Sequence, residues 1–245
     1  MTDAMSPKLD NTTTDIITIL AKGGLGAIPF VGSLIAEIVG NVIPNQRIDR
    51  IARFIELLEQ RLGKLEEESL QSRLTTPEAV DLLEDAFIQA ARATSSERLE
   101  HIANVVANGL GKEELNQAEI KRMLWLLGHL NDSEIVILRS KLASTNEDLQ
   151  RDADFRQKHE QLLAPDMAHM GSSEDEFEEA ALKASYRQHL HDLGLTRLRF
   201  RAPRRGELPE FDDKTGMIKA SGSDITRLGR MLLRYLNLIP SWYTL

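Results

Sequence analysis

The sequence predicts a mainly α-helical fold: a helical bundle opening on a Gly-rich apolar hairpin, followed by a small α+β C-terminal region. Three observations predict it. Apolar residues make up 42% of the chain and aromatics only 5%, so Leu, Ile, Val and Ala must fill the core, as they do between packed helices. Apolar positions recur at spacings of three and four up to about Leu142, the period of a helix with one buried face. Only in Arg197-Leu198-Arg199-Phe200-Arg201 does the pattern become the residue-by-residue alternation of a strand.

Four regions follow from patterning and charge: a flexible N-terminus (1–15), the helical bundle (16–143), an acidic connection (144–176) and the C-terminal region (177–245). A charged fraction of 28% is ordinary for a packed globular chain. The absence of cysteine excludes disulfides, thiol catalysis and the usual structural zinc sites. Met1 to Asp15 is polar and lacks the basic-then-apolar succession of a secretory leader, so a cytoplasmic protein is expected. A net charge of −8 opposes wholesale coating of nucleic acid, which needs many cations against phosphate.

Ile16–Ile43 carries only Lys22 and Glu37 as charges. Gly23, Gly24 and Gly26 interrupt it, and Pro29 suits the first turn of a second helix. Val31, Leu34, Ile35, Ile38 and Val42 then share one face, opposite Gly32, Ala36 and Gly40, whose small size lets helix backbones approach closely. This face reads either as a buried hairpin in a soluble core or as a segment that enters or lies on a membrane. Its five residues are the candidate membrane or partner contact, with association on activation. After Pro44, the residues Ile48, Ile51, Ile55, Leu58, Leu62 and Leu65 form a heptad seam with charged flanks. The seam can pair within the chain, the preferred reading, or with a second copy in a homo-oligomer.

Thr75-Thr76-Pro77-Glu78 combines a hydroxyl cap, a first-turn proline and an acid, and so starts a helix with Val80, Leu83 and Phe87 inward. Ser95-Ser96-Glu97 starts another, with Leu99, Ile102, Val106 and Leu110 inward and Gly111 as its stop. Helices over Ala118–Leu130 (Ile120, Met123, Leu124, Leu127) and Asp132–Leu142 (Ile135, Ile137, Leu138) complete the bundle. The charge then shifts, to a net −8 over 145–180 and a net +6 over 181–206. Pro165–Ser173 has the composition of a loop.

From Glu178 onward the pattern reads helix, strand, loop, strand, helix. Leu193-Gly194-Leu195 before the first strand, and Ile225-Thr226-x-Leu228-Gly229-Arg230 opening the last helix, resemble the phrasing of bacterial winged-helix regulators. The resemblance covers roughly the last quarter of the chain. It implies that the helix before the wing can enter a major groove and that wing cations meet phosphate. Arg197, Arg199 and Arg201 would project from one strand face, with Arg204 and Arg205 at the wing tip. These five are the candidate nucleic-acid or anion site, although Glu174, Asp175, Glu176, Glu178 and Glu179 on the preceding helix would repel phosphate. The Gly-rich apolar start, Leu99-Glu100-His101-Ile102-Ala103-Asn104-Val105-Val106 and the Ile225–Leu236 ending are similar to bacterial abortive-infection proteins of the alpha type. That similarity implies phage defence and favours a membrane-directed effector.

Catalytic chemistry finds no foothold. His189 and His191, two residues apart on a helix, point different ways and suit a solvated helix end better than a shared metal. Lys22-Gly23-Gly24-Leu25-Gly26 lacks the phosphate-loop spacing, and the acidic run 174–179 lacks that of a calcium loop. No catalytic residue, metal or cofactor is expected. The sequence points instead to an effector or regulatory subunit working through a protein partner or a membrane; a DNA-binding regulator is the alternative.

Overall fold

In the computed structural model, residues 47–63, 76–112, 116–142, 149–165, 171–206, 208–212 and 216–239 are described. The apolar N-terminal segment, with Val31, Leu34, Ile35, Ile38 and Val42, lies outside them, as does Leu65. The described residues are mainly helical, with a two-stranded antiparallel sheet near the C-terminus. They divide into two compact units.

The first unit holds α1 (Ile48–Leu62), α2 (Pro77–Arg92), α3 (Ser96–Leu110), α4 (Gln117–His129) and the short segment Tyr235–Asn237. Ile51, Ile55, Leu58 and Leu62 are buried, and so are Phe54 and Leu57, which widens the heptad stripe into the broader face of a globular helix. α1 packs on α3 and α2, so the seam is filled inside the chain. The Thr76 hydroxyl accepts from the Ala79 N–H at 3.3 Å and Pro77 begins α2. The inward face of α2 is Ala79, Leu82, Leu83, Ala86, Phe87 and Ala90, leaving Val80 half-buried at its edge. Ser95 caps α3 in the same way, accepting from the Arg98 N–H at 3.1 Å. Leu99, Ile102, Val106 and Leu110 of α3 and Ile120, Met123, Leu124 and Leu127 of α4 are buried as their spacing predicts.

One polar group sits in this core. Asn104 donates to the Leu236 carbonyl at 2.9 Å, and its side-chain oxygen accepts from Arg61 and, at 3.0 Å, from Asn237. Asn108 donates to the Tyr235 carbonyl at 2.9 Å, and the Tyr235 hydroxyl donates to Glu119 at 2.6 Å. The lysine of the Lys112–Glu119 pair also bonds this carboxylate. Hydrogen bonds from Lys112 and Tyr235 hold Glu119 below the usual carboxylate range. Burial and the bond to Glu119 raise the Tyr235 phenol. A depressed acid contributes stability above its unfolded pKa and loses it as pH falls through the folded value; a raised phenol contributes below its unfolded pKa and loses it on the alkaline side. Urea unfolding across pH is therefore expected to weaken at both ends. Glu119→Gln should cost about 1 kcal/mol at neutral pH and flatten the acid limb.

The second unit starts at Leu130 and holds α5 (Asp132–Arg139), α6 (Leu149–Lys158), α7 (Glu160–Leu163), α8 (Glu174–Asp192), β1 (Thr196–Phe200), β2 (Ala220–Ile225) and α9 (Arg227–Tyr235) as far as Arg234. α5, grouped with the bundle by sequence adjacency, packs instead on α8. It also ends at Arg139, short of Leu142. The acidic connection is partly helical, because Phe155 of α6 is buried beneath the Arg139 guanidinium, 4.0 Å from the ring centroid. Asn131 and Glu134 close a capping box at the start of α5. The buried Glu134 carboxylate lies 2.7 Å from His189 Nδ1, so His189, still partly exposed near the end of α8, is also tied to α5. His191 lies 3.7 Å from the Asp192 carboxylate, and no group among the described residues has the makings of a metal site.

Candidate contact surface on the C-terminal hairpin

Ser173 and Glu176 form the capping box that starts α8, so the acids of its first turn face the positive end of the helix. Its other end is Leu193-Gly194-Leu195. Gly194, at φ +72°, donates to the His191 carbonyl at 2.9 Å; Leu195 donates to the Leu190 carbonyl at 3.0 Å, and both leucines are buried. This is a Schellman stop, with the left-handed residue and the apolar contact it requires.

The reversed chain enters β1, which pairs antiparallel with β2 from Thr196↔Ile225 outward. At the root, Thr226 locks the two ends together. Its N–H donates to the Leu195 carbonyl at 2.9 Å, and its hydroxyl donates to Gly194 at 2.8 Å while accepting from the Gly229 N–H at 3.1 Å. A Cβ on Gly229 would sit 2.4 Å from the Leu195 carbonyl oxygen. The phrases Leu193-Gly194-Leu195 and Ile225-Thr226-x-Leu228-Gly229 thus form one knot from which the hairpin extends.

Beyond the root the hairpin is exposed. Arg197 and Arg199 lie on β1, but a register shift falls between Arg199 and Phe200, and the strand ends at Phe200. Arg201 is therefore not part of the same regular strand face as the other two. Arg199 is partly neutralised, because its guanidinium meets Asp224 at 3.1 Å. Arg204 and Arg205 are exposed, with a turn at Arg205-Gly206. Further along, a bridge pairs Phe211 with Ile218, and the Lys219 backbone N–H donates to the Glu210 carbonyl at 2.8 Å. Between these limbs lies a cleft of about 400 Å³ whose lining includes Arg201, Pro203, Leu208, Glu210, Ile218 and Lys219. At the base, burial, with the neighbouring charges of Arg187 and Arg199, pushes the Lys141 ammonium below its ordinary value.

Leu198, Phe200, Leu208, Phe211, Met217 and Ile218 make up six of the nine large apolar side chains that the described residues leave exposed, Leu208 at 84% and Met217 at 70%. They concentrate on one hairpin, where scattered exposure would mean little. No family model, curated protein or solved structure matches this chain. The arginines are prominent in the sequence; the apolar residues between them are less so, although the alternation in sequence already separates Leu198 and Phe200 from the arginines. No helix among the described residues is long and apolar enough to cross a membrane.

Proposed function

We propose that this chain acts by contact rather than catalysis, as a bacterial antiphage or stress effector or its regulatory subunit, meeting a protein partner through the β1–β2 hairpin. The carrying observation is the set of six exposed apolar side chains interleaved with arginines. Each large side chain kept in water forgoes roughly 1.5–3 kcal/mol of burial, and a group of them beside cations suits a partner with an apolar anchor and acids around it. The defence role is supported by the similarity of Leu99–Val106 and Ile225–Leu236 to abortive-infection proteins. Plating efficiency of phages on cells with and without the gene tests it. Wild type should reduce plaques, and Phe200→Ser with Met217→Ser should lose protection while its unfolding free energy stays within about 0.5 kcal/mol of wild type. Equal plating across a broad phage panel would remove the defence reading; full protection by the variant would remove the hairpin from it.

The exposed arginines favour a second reading, a regulator whose wing meets DNA, and the helix–strand–strand–helix order of α8 to α9 accords with the winged-helix resemblance. Against it, Glu174, Asp175, Glu176, Glu178 and Glu179 are all exposed on the helix that would approach the groove. Gel shifts at about 50 and 200 mM salt decide the matter: binding should weaken steeply with salt, and Arg205→Ala should lower the slope by about one unit. No binding to duplex at the lower salt ends this reading. A membrane output rests on the sequence of Ile16–Ile43 alone, and intact liposomes in a leakage assay under every condition would remove it.

A further inference from the structure

We infer that the hairpin cleft takes the acidic opening of α8 from a second copy of this chain, so that copies join head to tail. The inference rests on the reading of the hairpin as a protein-contact surface and names its partner. Two exposed patches in the second unit match in kind and oppose in charge. One is Glu174-Asp175-Glu176-Phe177-Glu178-Glu179, five carboxylates and a phenylalanine, all exposed in the first turns of α8, where Glu176 is held by the Ser173 cap and Glu179 pairs with Lys183 at 2.7 Å. The other is made of described residues of 197–219, a stretch with seven cations against four acids in sequence, where Arg201 and Lys219 flank a cleft whose lining includes the exposed Leu208 and Ile218. A volume of about 400 Å³ is enough for one aromatic side chain and its neighbours, with Glu210 as the only acid among the described residues of the lining. Phe177 would fill the cleft, while Glu174 and Glu178 beside it meet Arg201 and Lys219.

Because the two patches differ, the contact is heterologous: each copy offers one of each, and association continues into a ring or a filament instead of stopping at a symmetric dimer. Charge carries the specificity, so the assembly must be sensitive to salt.

Sedimentation velocity on the full chain, over a concentration series, tests this. At about 50 mM salt the wild type should grow beyond a dimer, and about 0.5 M salt should return it towards monomer. Two variants remove one patch each: Arg201→Gln with Leu208→Ser on the hairpin, and Phe177→Ser with Glu178→Gln on α8, the latter sparing the Glu176 cap. Each alone should remain monomeric with an unchanged unfolding midpoint. Mixed in equal amounts, they should form a 1:1 dimer and nothing larger, since one intact joint remains between them. A wild type that stays monomeric at every concentration and salt overturns the proposal, as does association that neither variant weakens or a mixture that yields no dimer. If the chain is monomeric yet Phe200→Ser with Met217→Ser still abolishes protection in cells, the second copy is wrong and the protein-contact reading stands. If both tests fail, both readings fall.

Discussion

Phe87→Ala is expected to remove about 3–5 kcal/mol from the unfolding free energy of the first unit, read as a shift of the urea midpoint at constant slope. The ring is 1% exposed and meets Phe54 edge-on, with centroids 5.4 Å apart and planes at 86°. Truncation forfeits both the burial of the ring and the aromatic contact, and it leaves a cavity among helices already packed closely by Ala79, Ala86 and Ala90. A domain of this size is commonly stable by only about 5–15 kcal/mol, so the variant should sit near its folding limit. Val80→Ala, at the edge of the same helix, should cost about 1 kcal/mol or less. A Phe87→Ala cost as small as that of Val80→Ala would mean that the site collapses around the deletion and that the Phe54–Phe87 contact is not the anchor of this core.

The inward faces of α3 and α4 were legible because each depends on local spacing alone; on α2 the spacing marked Leu83 and Phe87 correctly but also Val80, which lies half-buried at the edge. Phe54 and Leu57 were not legible: a heptad seam picks out two positions in seven, whereas a helix covered from two sides by α2 and α3 buries a wider arc. Asn104 reads as a surface residue within Leu99–Val106, yet it is buried because its carbonyl partner, on Leu236, comes 132 residues later in the chain. No local pattern carries such a pairing. α5 shows the same limit, since the link Leu130-Asn131 between α4 and α5 does not say which neighbour α5 will cover. α6 was missed because its buried side is nearly a single residue, Phe155, too little to raise a period above its charged surroundings.

The candidate surface was half legible. Alternation located β1, and the arginines stood out by type. What the alternation leaves open is whether anything covers Leu198 and Phe200, and the partial neutralisation of Arg199 depends on Asp224, twenty-five residues away. The two short phrases that carry the winged-helix resemblance were legible as phrases only. Their physical content, a Schellman stop and a cap hydroxyl that grips it, appears once Leu195 and Thr226 stand side by side.

That knot sets the last expectation: Gly229→Ala should destabilise the second unit by about 3 kcal/mol, more than Gly194→Ala at about 1–2 kcal/mol. The sign has to be argued, because alanine in a helix ordinarily gains about 1 kcal/mol over glycine. At Gly229 the added carbon would lie 2.4 Å from the Leu195 carbonyl oxygen, 2.8 Å from Ile225 Cγ1 and 3.3 Å from Leu138 Cδ1. The first of these is backbone, held by the Thr226 N–H at 2.9 Å, so it cannot yield without releasing that bond, worth about 1 kcal/mol. Steric exclusion therefore outweighs propensity. Gly194 differs in kind: nothing lies within 4 Å of its would-be Cβ, and the whole cost comes from holding a side chain at φ +72°. Urea unfolding should give that order, and hydrogen exchange should localise it. The Leu195 and Thr226 amides should lose protection in Gly229→Ala and largely keep it in Gly194→Ala. Equal costs at the two glycines, or undiminished protection at Leu195 in Gly229→Ala, would mean that α9 does not sit against the Leu195 carbonyl and that the hairpin is rooted elsewhere.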